Sequence, residues 1–192
     1  MKLIAITGGI GSGKSVVARM VHVMGYEVYD CDSRAKALMT DNADVRQQLV
    51  EAFGNQVYQD DGSINRQHLS AVAFADKDAL TRLNGIVHPA TARDLLSWAN
   101  EQDRRGAQLA FVETALLRTS GLDSVVDSVW HVTAPDEVRI NRVIARNGLS
   151  REQIQARIAS QNIEDSVAVG EHEIVNDNHS ALLPQVLSLL KY

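Results

Sequence analysis

Leu3-Ile4-Ala5-Ile6-Thr7-Gly8-Gly9-Ile10-Gly11-Ser12-Gly13-Lys14-Ser15 is the stretch whose reading decides the fold. Leu3 to Thr7 is apolar on both faces, as a central parallel strand must be when helices cover it on either side. Gly8 to Ser15 then fits G-x-x-x-x-G-K-[ST] at every fixed position. Beyond it Val17, Met20, Val21 and Met24 recur at helical spacing, which predicts a helix over about 14–24 ended by Gly25. Strand, glycine-rich loop and helix in that order form a phosphate cradle. The glycines let successive N–H groups turn inward, and the helix start adds the positive end of its dipole.

The residue types assign roles. Lys14 should reach the β- and γ-phosphates as a point charge, and the Ser15 hydroxyl should meet a magnesium ion. The competing reading is a glycine-rich turn that binds nothing, but the lysine and serine directly after the last glycine speak against it. The loop fixes the phosphates and not the acceptor, because ATPases, GTPases and small-molecule kinases share it. The chain has no N-K-x-D guanine loop and, at 192 residues, is short for a motor. Both points favour a small-molecule kinase using ATP with Mg2+.

Outward from the loop, Tyr26 to Asp30 reads as a second strand. Strand patterning then vanishes from about Ser33 to Arg105. Val45, Leu49, Ala52 and Phe53 mark one amphipathic helix closed by Gly54. Asp61-Gly62 is a turn, and Asn65 caps a helix carrying Leu69 and Val72. Helical pattern spans about 76–87, breaks at Pro89, and resumes over 90–102. Strands return at Leu109–Glu113 and Ser128–Thr133, with a weak fifth at Glu173–Asn176. Helices follow over about 136–146, 151–161 and 181–190, the first two hinged at Asn147-Gly148. The expected fold is α/β: a five-stranded parallel sheet with helices on both faces. Residues 1–32 and 106–192 would form the nucleotide core, 33–105 an inserted helical subdomain, and 136–161 an arginine-rich lid.

Bulk properties exclude other classes. A net charge of -5 argues against nucleic acid as a partner, since phosphate backbones select basic surfaces. No run approaches the roughly 18 apolar residues of a membrane span, and no signal-peptide pattern opens the chain. One cysteine, Cys31, permits no intramolecular disulfide, so the expected location is the cytoplasm. Nothing here sets an oligomeric state.

Asp30 and Asp32 stand at the carboxyl end of the second strand, the edge where open α/β sheets bind ligands. One of them can take or orient the proton of an attacking hydroxyl and reach the metal through water. Alternatively, Asp32 simply caps a helix beginning near Ser33. Arg139, Arg142, Arg146, Arg151 and Arg157 crowd into 19 residues of a chain with 14 arginines and 5 lysines. They form either a lid that addresses phosphates or a solvated helix face. His88, before Pro89, is presented to a ligand or is structural. Glu113 ends its strand near the magnesium position or as an ordinary carboxylate, and Trp98 and Trp130 read as core or flank residues.

Taken together, these segments resemble the dephospho-coenzyme A kinase family from Ile4 to about Ser180. The likeness rests on Thr7 to Ser15, on Asp30-Cys31-Asp32 as a D-x-D, and on Asp61-Gly62-Ser63-Ile64-Asn65-Arg66. It continues through Leu83-Asn84-Gly85-Ile86-Val87-His88-Pro89, Arg146-Asn147-Gly148-Leu149-Ser150 and Ala156-Arg157-Ile158-Ala159-Ser160-Gln161. The resemblance implies transfer of the ATP γ-phosphate to the ribose 3′-hydroxyl of dephospho-CoA. Gly9, Ile10, Gly11, Ser12, Gly13, Lys14, Ser15 and Val16, with Arg142 and Arg146, would hold ATP. Lys14, Asp32 and Arg142 would carry catalysis, and Asp30, Asp32, His88 and Arg157 would meet the acceptor. The family's P-L-L-x-E is here Ala115-Leu116-Leu117-Arg118-Thr119, and its I-x-N-x-G-S is Val175-Asn176-Asp177-Asn178-His179-Ser180. Another small-molecule P-loop kinase and a non-catalytic nucleotide-binding paralogue remain as alternatives.

Overall fold

The computed structural model describes residues 1–161, 167, 168 and 170–191. Five parallel strands make one sheet: β1 (Lys2–Thr7), β2 (Glu27–Asp30), β3 (Leu109–Glu113), β4 (Ser128–Thr133) and β5 (His172–Val175), in the order β2-β3-β1-β4-β5. The strand with the most continuous apolar run, β1, takes the centre, where both its edges are paired. Register places Ile6 and Asp30 opposite Glu113, and Thr7 opposite His131. The carboxyl ends of the strands therefore form one edge that carries Asp30, Glu113 and the chain entering the glycine loop.

Helix α1 (Lys14–Val23) follows that loop and turns Val17, Ala18 and Val21 onto the sheet. These pack with Ile4, Ile6, Phe111, Trp130, Val132, Ile174 and, from the last helix (Leu182–Leu189), Val186. Each fully buried aliphatic contributes roughly 1.5–3 kcal/mol, so this cluster anchors the loop from below. Phe111 sits between Tyr26 and Trp130, with ring centroids 5.5 and 5.0 Å away. Trp130, 1% exposed, is a core residue.

The chain divides into two compact units, Met1–Asp30 with Ala99–Tyr192, and Cys31–Trp98. The second is helical: α2 (Cys31–Asp41), α3 (Ala43–Phe53), a single 3-10 turn at Asn55–Val57, α4 (Arg66–Ala75) and most of α5 (Lys77–Arg104). Leu38, Val45, Leu49, Val57, Leu69 and Ala90 form its core. Asn42 and Asn65 cap α3 and α4 by accepting from Val45 N and His68 N. Arg46 stacks on the Tyr58 ring at 4.1 Å and donates to the Gly62 carbonyl at 2.9 Å, which pins the Asp61-Gly62 turn.

Two expectations are corrected. The helix expected to break at Pro89 runs unbroken for 28 residues. Proline removes one ladder bond and crowds the carbonyl four residues back. That residue is Gly85, beside which a side chain would meet nothing within 4 Å, so the backbone has room to relax. Packing of Leu83, Ile86 and Ala90 into the core on both sides of the proline outweighs its local effect. Second, α2 opens at Cys31, straight off β2, so Asp32 lies inside the first turn and is not the cap of a helix from Ser33. The remaining helices, α6 (Asp136–Asn147), α7 (Arg151–Ser160) and α8 (Leu182–Leu189), fall within two residues of their expected bounds.

Candidate active site

The site grows from the glycines of the loop. Gly11 holds φ 79° and Gly13 φ 96°, both left-handed. Space forbids a side chain at either: an added Cβ would lie 2.7 Å from the Arg139 carbonyl oxygen at Gly11 and 2.1 Å from Asn176 Nδ2 at Gly13. The loop is thus wedged between helix α6 on one side and the end of β5 on the other. Lys14 opens α1, half-buried, where the helix dipole concentrates positive charge. The next residue, Ser15, donates its hydroxyl to Glu113 Oε1 at 2.6 Å, joining the helix start to the tip of the neighbouring strand. Val16, the third residue of α1, is exposed.

Glu113, which the sequence leaves either near the magnesium position or as an ordinary strand-end carboxylate, is bonded to the loop through Ser15. The two oxygens suit a hard, oxygen-seeking cation such as Mg2+. Among the described residues no group of three or more His, Cys, Asp or Glu side chains forms a metal cage. A cation here would therefore take its other ligands from nucleotide and water.

The arginine stripe splits into different environments. Arg139 is 6% exposed, lies under the loop and donates from Nε to the Ile10 carbonyl at 2.8 Å. Arg142 faces the same way and reaches the carbonyls of Gly11 and Ser12. Arg146 is exposed and bonds the neighbouring Asn147 side chain, Arg151 pairs with Glu137, and Arg157 is exposed. Helices α6 and α7 share a small core of Ile140, Val143 and Ile154, into which the loop residue Ile10 inserts. Gln161, just past α7, accepts from Ile10 N at 2.8 Å. Thus α6, α7 and the phosphate loop are one packed assembly in the sheet unit.

Asp30 ends β2 beside Glu113 in the sheet register. Asp32 and His88 belong to the helical unit: Asp32 is exposed in the first turn of α2, and His88 is half-buried within α5. Burial pushes the His88 imidazole below its ordinary range, so it is neutral at pH 7. The unfolded chain then takes up this proton first as pH falls through 6.5, so folding stability is full above that pH and declines below it. Urea melts at pH 7.5 and 5.5 should show His88→Asn losing part of that decline.

Sequence reasoning missed Asn176, Asn178 and Gln161. Asn176 directly follows β5, so the rule that ligand sites gather at the strands' carboxyl ends reaches it as well. Gln161 closes the Ala156 to Gln161 segment that carries the family resemblance, which is the signal that could have found it, while the bonding of Asn178 has no mark in the sequence.

The family model described as dephospho-CoA kinase matches residues 2–181. The chain belongs to the dephospho-CoA kinase family. Among curated relatives, the dephospho-CoA kinase of Porphyromonas gingivalis is 40% identical over 193 residues, spanning 100% of this chain and 94% of the relative. A solved structure from Thermus thermophilus superposes with a TM-score of 0.80 at 34% identity, covering 99% of this chain and 94% of the other. Dephospho-CoA kinase from Campylobacter jejuni superposes with a TM-score of 0.74 at 25% identity, covering 100% of this chain and 96% of the other. This family member has a five-stranded α/β fold with a P-loop at the sheet's carboxyl edge. Among its described residues no helix is long and apolar enough to cross a membrane.

Proposed function

We propose that the chain transfers the γ-phosphate of ATP to the 3′-hydroxyl of dephospho-CoA, forming coenzyme A and ADP. The observation that carries this reading is the intact loop with Ser15 bonded to Glu113, in a chain that matches the kinase family over residues 2–181. A new bond forms between the ribose oxygen and the γ-phosphorus, the bond from that phosphorus to the β,γ-bridging oxygen breaks, and ADP leaves. The hydroxyl proton passes to a base. The loop amides and Lys14 grip the β- and γ-phosphates and favour the charge that spreads over the moving phosphoryl. Ser15 and Glu113 would hold Mg2+, which would supply positive charge to neutralise the phosphates. Asp32 accepts or aligns the hydroxyl proton, and Asp30, His88 and Arg157 contribute to the acceptor side. Arg146 assists the nucleotide from the lid. Cys31 is the chain's one cysteine, and we place the enzyme in a reducing cytoplasm.

The helical unit is our proposed acceptor-binding part. It contains a cavity of about 690 Å³ with Met39, Ile64, Leu69 and Leu83 on its walls and Lys36 and Arg66 among its lining. Apolar walls with cations suit a pantetheine arm and the phosphates beside it. Lys36→Ala and Arg66→Ala should each raise KM for dephospho-CoA about threefold to thirtyfold while leaving KM for ATP unchanged. Initial-rate assays varying one substrate at a time check this. For the reaction itself, purified protein with Mg-ATP is offered dephospho-CoA and a panel of nucleosides while ADP release is followed. Release with dephospho-CoA alone is expected. Turnover only with nucleosides would make the protein a different P-loop kinase, and no turnover would leave a nucleotide-binding paralogue.

A further inference from the structure

Both terminal nitrogens of the Arg142 guanidinium donate to protein oxygens. One terminal nitrogen, Nη1, donates to the carbonyls of Gly11 at 3.3 Å and Ser12 at 3.2 Å. The other, Nη2, donates to the Asn176 carbonyl at 3.0 Å, the Asn176 side chain at 3.0 Å and Asn178 Oδ1 at 2.5 Å. Asn176 closes the ring by donating from Nδ2 to the Ser12 carbonyl at 2.7 Å. Arg139 does the same one peptide earlier, at the Ile10 carbonyl.

Four of these bonds, from Arg139, Arg142 and Asn176, fall on carbonyls of the phosphate loop, at Ile10, Gly11 and Ser12, and that determines what they do. In a trans peptide the C=O and the following N–H point in opposite directions within one plane, and the chain has no cis peptide among its described residues. Holding the Ser12 oxygen toward α6 and β5 turns the Gly13 N–H the opposite way. Holding the Ile10 oxygen does the same for the Gly11 N–H. An anion cradle needs its amides aimed before the ligand arrives, because reorienting them on binding subtracts from affinity.

Asn178 is the unexpected member. It is the one non-glycine residue with positive φ among those described, at 71°. Its turn is built for that conformation: Asp177 Oδ1 accepts from His179 N at 2.9 Å and from Ser180 N at 2.7 Å. Asparagine tolerates left-handed backbone better than most residues but less well than glycine. The backbone alone would thus favour glycine at 178, and what asparagine adds is the oxygen on Arg142.

We propose that Asn176 and Asn178 clamp Arg142 against the carbonyl side of the phosphate loop, making Arg142, Asn176 and Asn178 positioning residues that pre-aim the loop amides for nucleotide phosphate. The inference rests on reading the loop as the ATP site. It concerns this chain's own side chains and is independent of the acceptor.

Two substitutions separate the clamp from the backbone. Asn178→Gly keeps the left-handed conformation and deletes the oxygen, while Asn178→Asp keeps an acceptor for the guanidinium. Asn178→Gly should raise KM for Mg-ATP, and its dissociation constant by calorimetry, about threefold to tenfold. KM for dephospho-CoA should stay at the wild-type value and the melting temperature should hold. Asn178→Asp should restore ATP binding to within about twofold of wild type. Arg142→Lys, which cannot fork between the two groups of oxygens, should weaken Mg-ATP by more than Asn178→Gly does. If Asn178→Gly binds Mg-ATP like the wild type, or weakens both substrates alike along with a fall in melting temperature, the clamp is overturned. If the wild-type protein itself takes up no Mg-ATP, the nucleotide reading fails and the inference with it.

Discussion

Lys14→Ala should lower kcat/KM by about a hundredfold to a thousandfold, the scale set by removing a charged donor from a developing transition state. No other lysine stands in the loop or in α1, so no neighbour replaces the ammonium there. The same change should leave the fold as stable as before or slightly more so. Lys14 is the first residue of α1, and the first turn of that helix contains no acidic residue. A cation at a helix N-terminus opposes the macrodipole by roughly 0.3–1 kcal/mol at exposed positions, and alanine is the better helix former. Loss of activity with an unchanged or raised melting temperature, measured side by side, therefore identifies Lys14 as functional. A parallel loss of both would make it structural.

Asp32→Asn should lower kcat by about a hundredfold or more, within the range for removing a general base, while the dissociation constant for Mg-ATP stays within about twofold. The structure sharpens this prediction by removing a competing role. An Asp32 that only capped α2 would affect stability alone, but α2 begins at Cys31 and Asp32 lies within its first turn. There a carboxylate favours the helix by only about 0.3–1 kcal/mol, and asparagine keeps the shape. Rapid-quench or steady-state rates with both substrates saturating, together with calorimetric titration of Mg-ATP, separate the two effects. A near-normal kcat in Asp32→Asn would leave the proton to another group, and Asp30 at the neighbouring strand end would be the next residue to change.

The parts of the molecule legible in the sequence are those determined locally. Leu3 to Val23 reads as strand, loop and helix because three signals agree: a two-faced apolar run, a fixed glycine spacing and a 3.6-residue period. The Asn65 region and the Asn147-Gly148 junction carry their own capping and turn chemistry, and the structure shows Gly148 at φ 63° closing α6. What the sequence hid was decided by contacts between distant segments. Pro89 looks like a break until both of its flanks bury against the same core. The bonds of Arg142 to Asn176 and Asn178, 34 and 36 positions further along, have no local mark in the sequence. Glu113 has two readings in the sequence, and the parallel register of β3 with β1 is what brings it to Ser15.

The most direct test follows the phosphate itself. Protein is mixed with dephospho-CoA and Mg-ATP carrying a labelled γ-phosphate, and the products are resolved by mass spectrometry and phosphorus NMR. The account predicts one label per ADP formed, carried on the ribose 3′-oxygen of coenzyme A. Label found on a different acceptor, or released only as inorganic phosphate, would contradict it.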